Sequence, residues 1–334
     1  MSRMLITGGA GFVGRHFTRA LLEQGHEVVV VDSVVPGTGG KMVEEGWPLF
    51  EPRDYATFRW IHQDCRDYFK QNPGEAFDYV FHLAAVVGGR LTIERNPLAV
   101  AQDLAIDADM WHWATKAAPK KVIAFSSSAA YPVNLQASTE NTILLKEEMI
   151  DFTKDLGTPD LTYGWAKLTC EYIGRIASER HGIDNCAYRP FSGYGPDQDM
   201  TYPFPSICKR ALDNRGAAEF KVWGSGRQSR DFIHIDDCVR GVLMTMDKLH
   251  GGDALNLSTG RLTTFLEFAD IATRLAGYSP RVYGDTSMPE GVASRGGDTT
   301  KQKAHGFVAS TTLEQGIAEC LEYLASGPVL SGAP

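Results

Sequence analysis

Long apolar runs are missing from this chain, and none is long enough to cross a bilayer. Positive charge is short as well. Lys and Arg total 33 against 41 Asp and Glu, a net charge of −8, which excludes the basic field of a general nucleic-acid or membrane-surface binder. Cys65, Cys170, Cys186, Cys208, Cys238 and Cys320 are scattered with no C-x-x-C spacing. Neither a zinc site nor a disulfide framework is expected from them, and no metal is assigned. Internal repeats, low-complexity tracts and a separable linker are absent too. The first strand–helix pattern begins within a few residues of Met1, which leaves no room for a signal peptide, so a cytoplasmic location is expected. What remains is 334 residues of ordinary globular composition, 43% hydrophobic and 22% charged, long enough for two domains or lobes.

The rest is organised around residues 5–14, Leu-Ile-Thr-Gly-Gly-Ala-Gly-Phe-Val-Gly. An apolar run at 4–6 predicts a first strand. A helical pattern over 12–22 begins among Gly8, Gly11 and Gly14, with Phe12 and Val13 between the last two. A helix N-terminus carries unpaired N–H groups and partial positive charge. Gly8 allows the tight turn off the strand, Gly11 lets a pyrophosphate reach the backbone, and Gly14 lets the helix pack closely. A second apolar run at 27–31 ends in Asp32, where a carboxylate can accept both adenosine ribose hydroxyls and repel a 2′-phosphate. Strand, glycines, helix and acidic residue together point to NAD.

Further apolar runs at 58–61, 79–83 and 122–126 predict strands, with a helix over 97–118 between the last two and a loop over 37–54. A helix over 161–181 precedes a strand at 185–189. This alternation predicts an α/β fold, a doubly wound parallel sheet with a smaller C-terminal lobe. Residues 134–159 are either a helical insertion or a lid. After Phe191 the alternation weakens and Pro203, Pro205, Gly224 and Gly226 punctuate short elements. The expected division is a cofactor domain at 1–190, rejoined by 232–258, and a substrate lobe at 191–231 and 259–330. Asp236-Asp237 reads as a helix N-cap.

Tyr163-Gly164-Trp165-Ala166-Lys167 places a phenol and an ammonium four residues apart, on one helix face. A lysine beside a phenol favours the phenolate. Such a tyrosine can take a proton from a hydroxyl while hydride leaves the same carbon, and the lysine can hold the nicotinamide ribose. Ser126-Ser127-Ser128 follows a predicted strand, where ligands bind in doubly wound sheets. It reads equally as a polar turn or as the source of a hydroxyl that aligns the reacting oxygen.

With these residues placed, the chain resembles the extended short-chain dehydrogenase/reductase family, the nucleotide-sugar epimerases and dehydratases, from residue 4 to about residue 324. The resemblance adds Asp64 and Cys65 in Gln-Asp-Cys-Arg-Asp beside the adenine, and Leu83, Ala84 and Ala85 along the cofactor. It implies Arg230 as the clamp on the substrate diphosphate, a role suited to a guanidinium fork. Val87-Gly88-Gly89, Ala130-Tyr131-Pro132 and the stretch from Pro289 to Arg295 and Asp298 are similar to GDP-mannose 3,5-epimerase and GDP-fucose synthase. They imply Gly88, Gly89, Ser128, Ser192 and Arg295 as further substrate contacts. Ser127, Tyr163 and Lys167 are the catalytic set, with Tyr163 and Lys167 also touching cofactor.

The departures narrow the chemistry. Ala129 stands where those two relatives carry an acid/base cysteine, and Ser128-Ala129 where the 4,6-dehydratases carry Asp-Glu. Asp103 and Ser192 stand where asparagines are usual. The resemblance therefore implies an NAD-dependent epimerase acting at carbon 4 of a GDP- or UDP-sugar, as a homodimer without nucleic-acid or membrane partners. A 4-ketoreductase or dehydrogenase, a 3,5-epimerase and a non-catalytic dinucleotide-sensing regulator are the alternatives.

Overall fold

The computed structural model describes residues 1–86, 90–288 and 290–327. Seven strands form one parallel sheet: Arg3–Thr7 (β1), Glu27–Asp32 (β2), Phe58–His62 (β3), Tyr79–His82 (β4), Lys121–Phe125 (β5), Asn185–Pro190 (β6) and Asp253–Leu257 (β7). Their order is β7-β6-β5-β4-β1-β2-β3. The order reverses between β1 and β4, the kind of switch point where doubly wound sheets open a crevice beyond their strand ends.

Successive strand residues face opposite sides of a sheet, and both sides here are covered. Met4, Ile6, Val28, Val30, Phe81 and Ile123 pack with Phe17 and Leu21 of helix Phe12–Glu23 (α1). Leu5, Val29, Val31, Val80 and Val122 pack with Met110, Trp111 and Trp113 of helix Asp103–Ala117 (α2) and Cys170 of helix Leu161–His181 (α3). Two buried faces explain why these strands read as continuous apolar runs. All six cysteines are free and buried.

The helix expected over 97–118 is two helices, Pro97–Val100 and α2, separated at Ala101 and Gln102. Asp103 opens α2, and its side chain turns inward to the Val86 N–H instead of capping its own helix. Residues 134–159 hold no α-helix. They form short turns at Val133–Gln136 and Glu147–Met149 and a strand Leu144–Leu145 that pairs with Ser294–Gly297. Leu145 and Ile150 pack with Tyr131, Leu168 and Phe191. Asn256 Nδ2 donates to the Leu145 carbonyl at 2.8 Å, so the segment is fastened to the edge of β7.

Beyond β6 a second sheet is built on Ser229–His234, which pairs with Leu262–Thr264, Ser294–Gly297 and Ser192–Tyr194. Its core holds Tyr194, Phe204, Phe232, Phe265 and Phe268. Residues 232–234 thus stay in this sheet, and it is the following helix Ile235–Thr245 that packs back on α1 before β7. Asp236-Asp237 is not the cap of that helix. His234 caps it, its Nδ1 accepting the Asp236 N–H at 3.3 Å. Asp237 instead receives the N–H groups of Ser310 and Thr311 at 2.9 and 2.8 Å.

Candidate active site

The ends of β1, β2, β4 and β5 open onto a cleft of about 860 Å³ that continues between the two sheets. Gly8 turns off β1 with φ +75°, and a Cβ there would lie 2.6 Å from the Ala84 nitrogen. A Cβ on Gly14 would lie 2.4 Å from the Gly8 carbonyl. The turn can close on α1 only with glycine at both places. Gly11 ends the turn with no side chain to cap α1, and no acidic residue lies in the first turn. Its N–H groups are left without a side-chain acceptor, which suits a pyrophosphate. Phe12 and Val13 line the same end.

At the tip of β2, Asp32 accepts the Ala10 N–H at 3.0 Å and the Val34 N–H at 2.7 Å. Burial pushes its carboxyl up, against the pull of these two bonds. Asp64 caps the helix Cys65–Gln71, and the Arg66 guanidinium beside it, 2.6 Å away, holds its carboxyl below the usual range. Cys65 lines the cleft, but burial pushes its thiol up to about 12, so it is no nucleophile. Leu83, Ala84 and Ala85 complete this wall. The cradle therefore fits NAD: donors at the helix end, no side chain at Gly11, and a carboxylate at the ribose position.

After β5 the three serines part company. Ser126 Oγ donates to Glu171 in the core. Ser127 faces the cleft and caps the turn Ser128–Ala130, its Oγ accepting the Ala129 N–H at 3.1 Å. Ser128 is 5% exposed and lies off the cleft, contrary to its expected place against substrate. One residue along a tight turn is enough to swing a side chain from ligand to core.

Tyr163 lines the cleft on α3. A Cβ on Gly164 would sit 2.4 Å from the Ala129 carbonyl, so glycine beside Tyr163 lets α3 close on the serine turn. The helix enters this contact through Leu161, whose left-handed φ of +54° is strained for a leucine. The Asp160 N–H bond to the Ala129 carbonyl, 3.0 Å, helps to hold it. Lys167 Nζ is 5.7 Å from the Tyr163 ring centroid. Lys167 is buried and lies behind the cleft lining. Burial opposes its charge, but Tyr163, Asp103 and Asp107 outweigh that and raise its pKa.

The opposite wall carries Ser192, Arg230 and Arg295. Arg230 Nη1 donates to the Ser229 carbonyl at 2.7 Å, and the guanidinium lies 5.8 Å from the Phe265 ring centroid. Arg295 is engaged with Gln136 and, at 2.7 Å, with Asp160. Gly88 and Gly89 lie outside the described residues. Asp160, Gln198, Tyr202, Trp223 and Gln228 also line the cleft and were not foreseen. Asp160 directly precedes α3, and its ion pair with Arg295, 135 residues away, appears only on folding. Gln198 and Gln228 are buried with their Oε1 atoms unpartnered among the described residues, ready to accept bonds from a ligand.

A nucleotide cradle, a Tyr-Lys helix and a serine turn around one cleft define a dinucleotide-dependent enzyme fold. The chain belongs to the NAD dependent epimerase/dehydratase family, whose model matches residues 4–258. It is 26% identical over 334 residues to a Bacillus subtilis (strain 168) protein named uncharacterized UDP-glucose epimerase YtcB, covering 97% of this chain and 98% of that one. GDP-L-fucose synthase 1 of Arabidopsis thaliana is 24% identical over 307 residues, covering 90% of this chain and 91% of that one. Among solved structures, the UDP-glucose 4-epimerase of Thermotoga maritima with UDP-glucose superposes with a TM-score of 0.82 at 26% identity, covering 97% of this chain and 98% of that one. MoeE5 with UDP-glucuronic acid and NAD gives 0.76 at 27%, covering 97% and 99%. NAD is the cofactor. Among the described residues no helix is long and apolar enough to cross a membrane.

Proposed function

We propose that the protein is an epimerase that inverts carbon 4 of a UDP- or GDP-linked sugar through a transient 4-keto intermediate. The observation that carries this reading is the pairing at the cleft wall: Tyr163 and Ser127 line the cleft together, while Ala129 in the turn that Ser127 caps offers only a methyl. Tyr163 removes the proton from the sugar hydroxyl, Lys167 holds a positive charge one turn behind it on the same helix face, and Ser127 aligns the oxygen. The Gly8–Gly14 turn and Asp32 would hold NAD, which would supply reversible hydride acceptance at the sugar carbon. Tyr163 then gives the proton back after the sugar has turned its other face. Arg230, with Arg295 beside it, would grip the diphosphate, and Ser192 would touch the sugar. In this reading the substrate lobe, expected at 191–231 and 259–330, also takes in residues 232–234.

Inversion at carbon 3 or 5 exchanges a carbon-bound proton with water, whereas inversion at carbon 4 returns the same hydrogen. Turnover in heavy water should therefore leave the product without ring deuterium by mass spectrometry. Ring deuterium would restore the 3,5-epimerase reading. A 4-ketoreductase or dehydrogenase would instead show net change in nicotinamide absorbance, and a sensing regulator no turnover at all. We also propose a homodimer, because Leu104, Leu161, Trp165 and Tyr172 stand exposed on α2 and α3; a monomer in sedimentation equilibrium would remove that.

A further inference from the structure

The substrate wall continues past its two arginines. Ser229–His234 and Ser294–Gly297 run parallel, with Arg230 opposite Arg295. Towards the C-terminal end of the first strand, Phe232 pairs with Ser192, which follows β6 of the cofactor sheet. The N-terminal ends of both strands therefore point away from that sheet. Just before them stand Gln228 and Glu290, and both line the cleft. Extended chain rises about 3.3 Å per residue, so Gln228 lies about 7 Å beyond Arg230.

This far end is one cluster. Gly224 has φ +68°, and a Cβ there would lie 2.9 Å from Glu290 Cγ and 3.2 Å from Gln228 Nε2, so both side chains rest against the bare glycine. Gln228 is 3% exposed; its Nε2 donates to the Trp223 carbonyl at 2.8 Å, and its Oε1 has no partner among the described residues. Ser225 Oγ donates to Glu290 Oε1 and accepts the Arg227 N–H at 3.1 Å, which orients the carboxylate. Trp223 lines the cleft and is 46% exposed, so an aromatic surface is open there.

With the sugar at Tyr163 and the diphosphate at the two arginines, what reaches the far end is the nucleoside. An indole face stacks on any base; the acceptors choose among them. Guanine carries two neighbouring donors on one edge, N1–H and the N2 amino group. A carboxylate spans such a pair, since each of its oxygens accepts more than one bond. Uracil carries a single N–H between two carbonyls, and a carboxylate on that edge sets oxygen against oxygen. We infer that Trp223, Gln228 and Glu290 make the far end of the cleft a guanine site, so that the substrate is a GDP-sugar rather than a UDP-sugar. Glu290 accepts from N1–H and the N2 amino group, with Gln228 Oε1 a further acceptor beside it. The inference rests on the nucleotide-sugar reading and deepens it, whichever carbon reacts.

The test is calorimetric titration of the NAD-loaded protein with GDP, UDP and inosine diphosphate, whose base lacks the N2 amino group. It needs no turnover. GDP should bind about tenfold or more tighter than UDP, and roughly tenfold tighter than inosine diphosphate, the scale of one charge-assisted hydrogen bond. UDP binding as tightly as GDP overturns the guanine assignment and leaves the nucleotide-sugar reading standing. Binding of neither overturns both. Inosine diphosphate binding as tightly as GDP removes the bond to the amino group, and the inference with it. Glu290→Gln, a change in an exposed side chain, should weaken GDP roughly tenfold or more and leave UDP as tight or tighter, so that the preference collapses. Unchanged GDP affinity in that variant overturns the inference. Trp223→Ala should weaken GDP and UDP alike, because stacking does not discriminate; unchanged affinity for both overturns the place given to the indole.

Discussion

Tyr163, Lys167 and Glu171 succeed one another at four-residue spacing and so share one stripe of α3. The first lines the cleft, and the last is locked in the core. Glu171 receives Arg189 Nε at 2.9 Å and Nη2 at 2.6 Å, with both side chains 2% exposed. Ser126 donates to the same carboxylate. Arg189 Nη1 reaches the Tyr131 hydroxyl at 3.0 Å and the Glu147 carbonyl at 3.1 Å. Burial disfavours the Arg189 charge, but Glu171 and Tyr131 more than restore it and raise its pKa. One ion pair therefore joins β6, α3, the end of β5 and the 131–147 segment. Removing one partner of a buried pair typically costs about 3–5 kcal/mol, because the other charge stays buried and unpaired. Glu171→Gln keeps an acceptor oxygen, so about 3 kcal/mol is expected. That is a large part of the roughly 5–15 kcal/mol that holds a typical protein folded. Urea unfolding at neutral pH, followed by circular dichroism and by tryptophan fluorescence, would measure it where the two transitions coincide. The double variant Glu171→Leu, Arg189→Met should be more stable than Glu171→Gln, since it strands no charge. A loss within about 1 kcal/mol for Glu171→Gln, the scale of an exposed pair, would refute the reasoning.

Three further outcomes are expected. Tyr163→Phe should lower turnover by about a hundredfold or more while NAD still binds; Ser127→Ala should do less damage than this, and Ser128→Ala least, because Ser128 lies off the cleft. A severe Ser128→Ala in steady-state kinetics would contradict the turn geometry. NAD should bind more tightly than NADP to stripped protein, because Asp32 would repel a 2′-phosphate; calorimetric titration showing the reverse would remove that role. Asp197, buried against Arg15 and His16 at 2.8 Å each, is lowered to about 2, since these partners outweigh its desolvation. A carboxyl lowered on folding stabilises the native state above its unfolded pKa, and the effect fades as pH falls from about 4 towards 2. Asp197→Asn should thus cost about 2 kcal/mol at neutral pH, with the gap to wild type closing in acid; a gap independent of pH in denaturant titrations would exclude this account.

The cofactor half of the molecule was legible in the sequence because its determinants are local. Gly8, Gly11 and Gly14 answer to a turn and a helix end within ten residues, Asp32 to the end of the next strand, and Tyr163 with Lys167 to a single helical turn. Strands covered on both faces announce themselves as apolar runs, and the helix Leu161–His181 has the bounds its pattern predicts.

Only the tertiary structure decided the rest. Whether Ser127 or Ser128 meets the cleft depends on how a turn of three residues closes. Residues 134–159 had no periodicity to read, since their few apolar side chains pack on distant Phe191 and Leu168 and their strand pairs with Ser294–Gly297. Asp160 and Arg295 acquire meaning from a partner 135 residues away along the chain, and no local pattern encodes a separation of that kind. The fold and the cofactor site follow from short-range rules. The substrate wall and the charges behind it follow from which distant residues the sheet brings together, because a buried charge is set by what surrounds it in space.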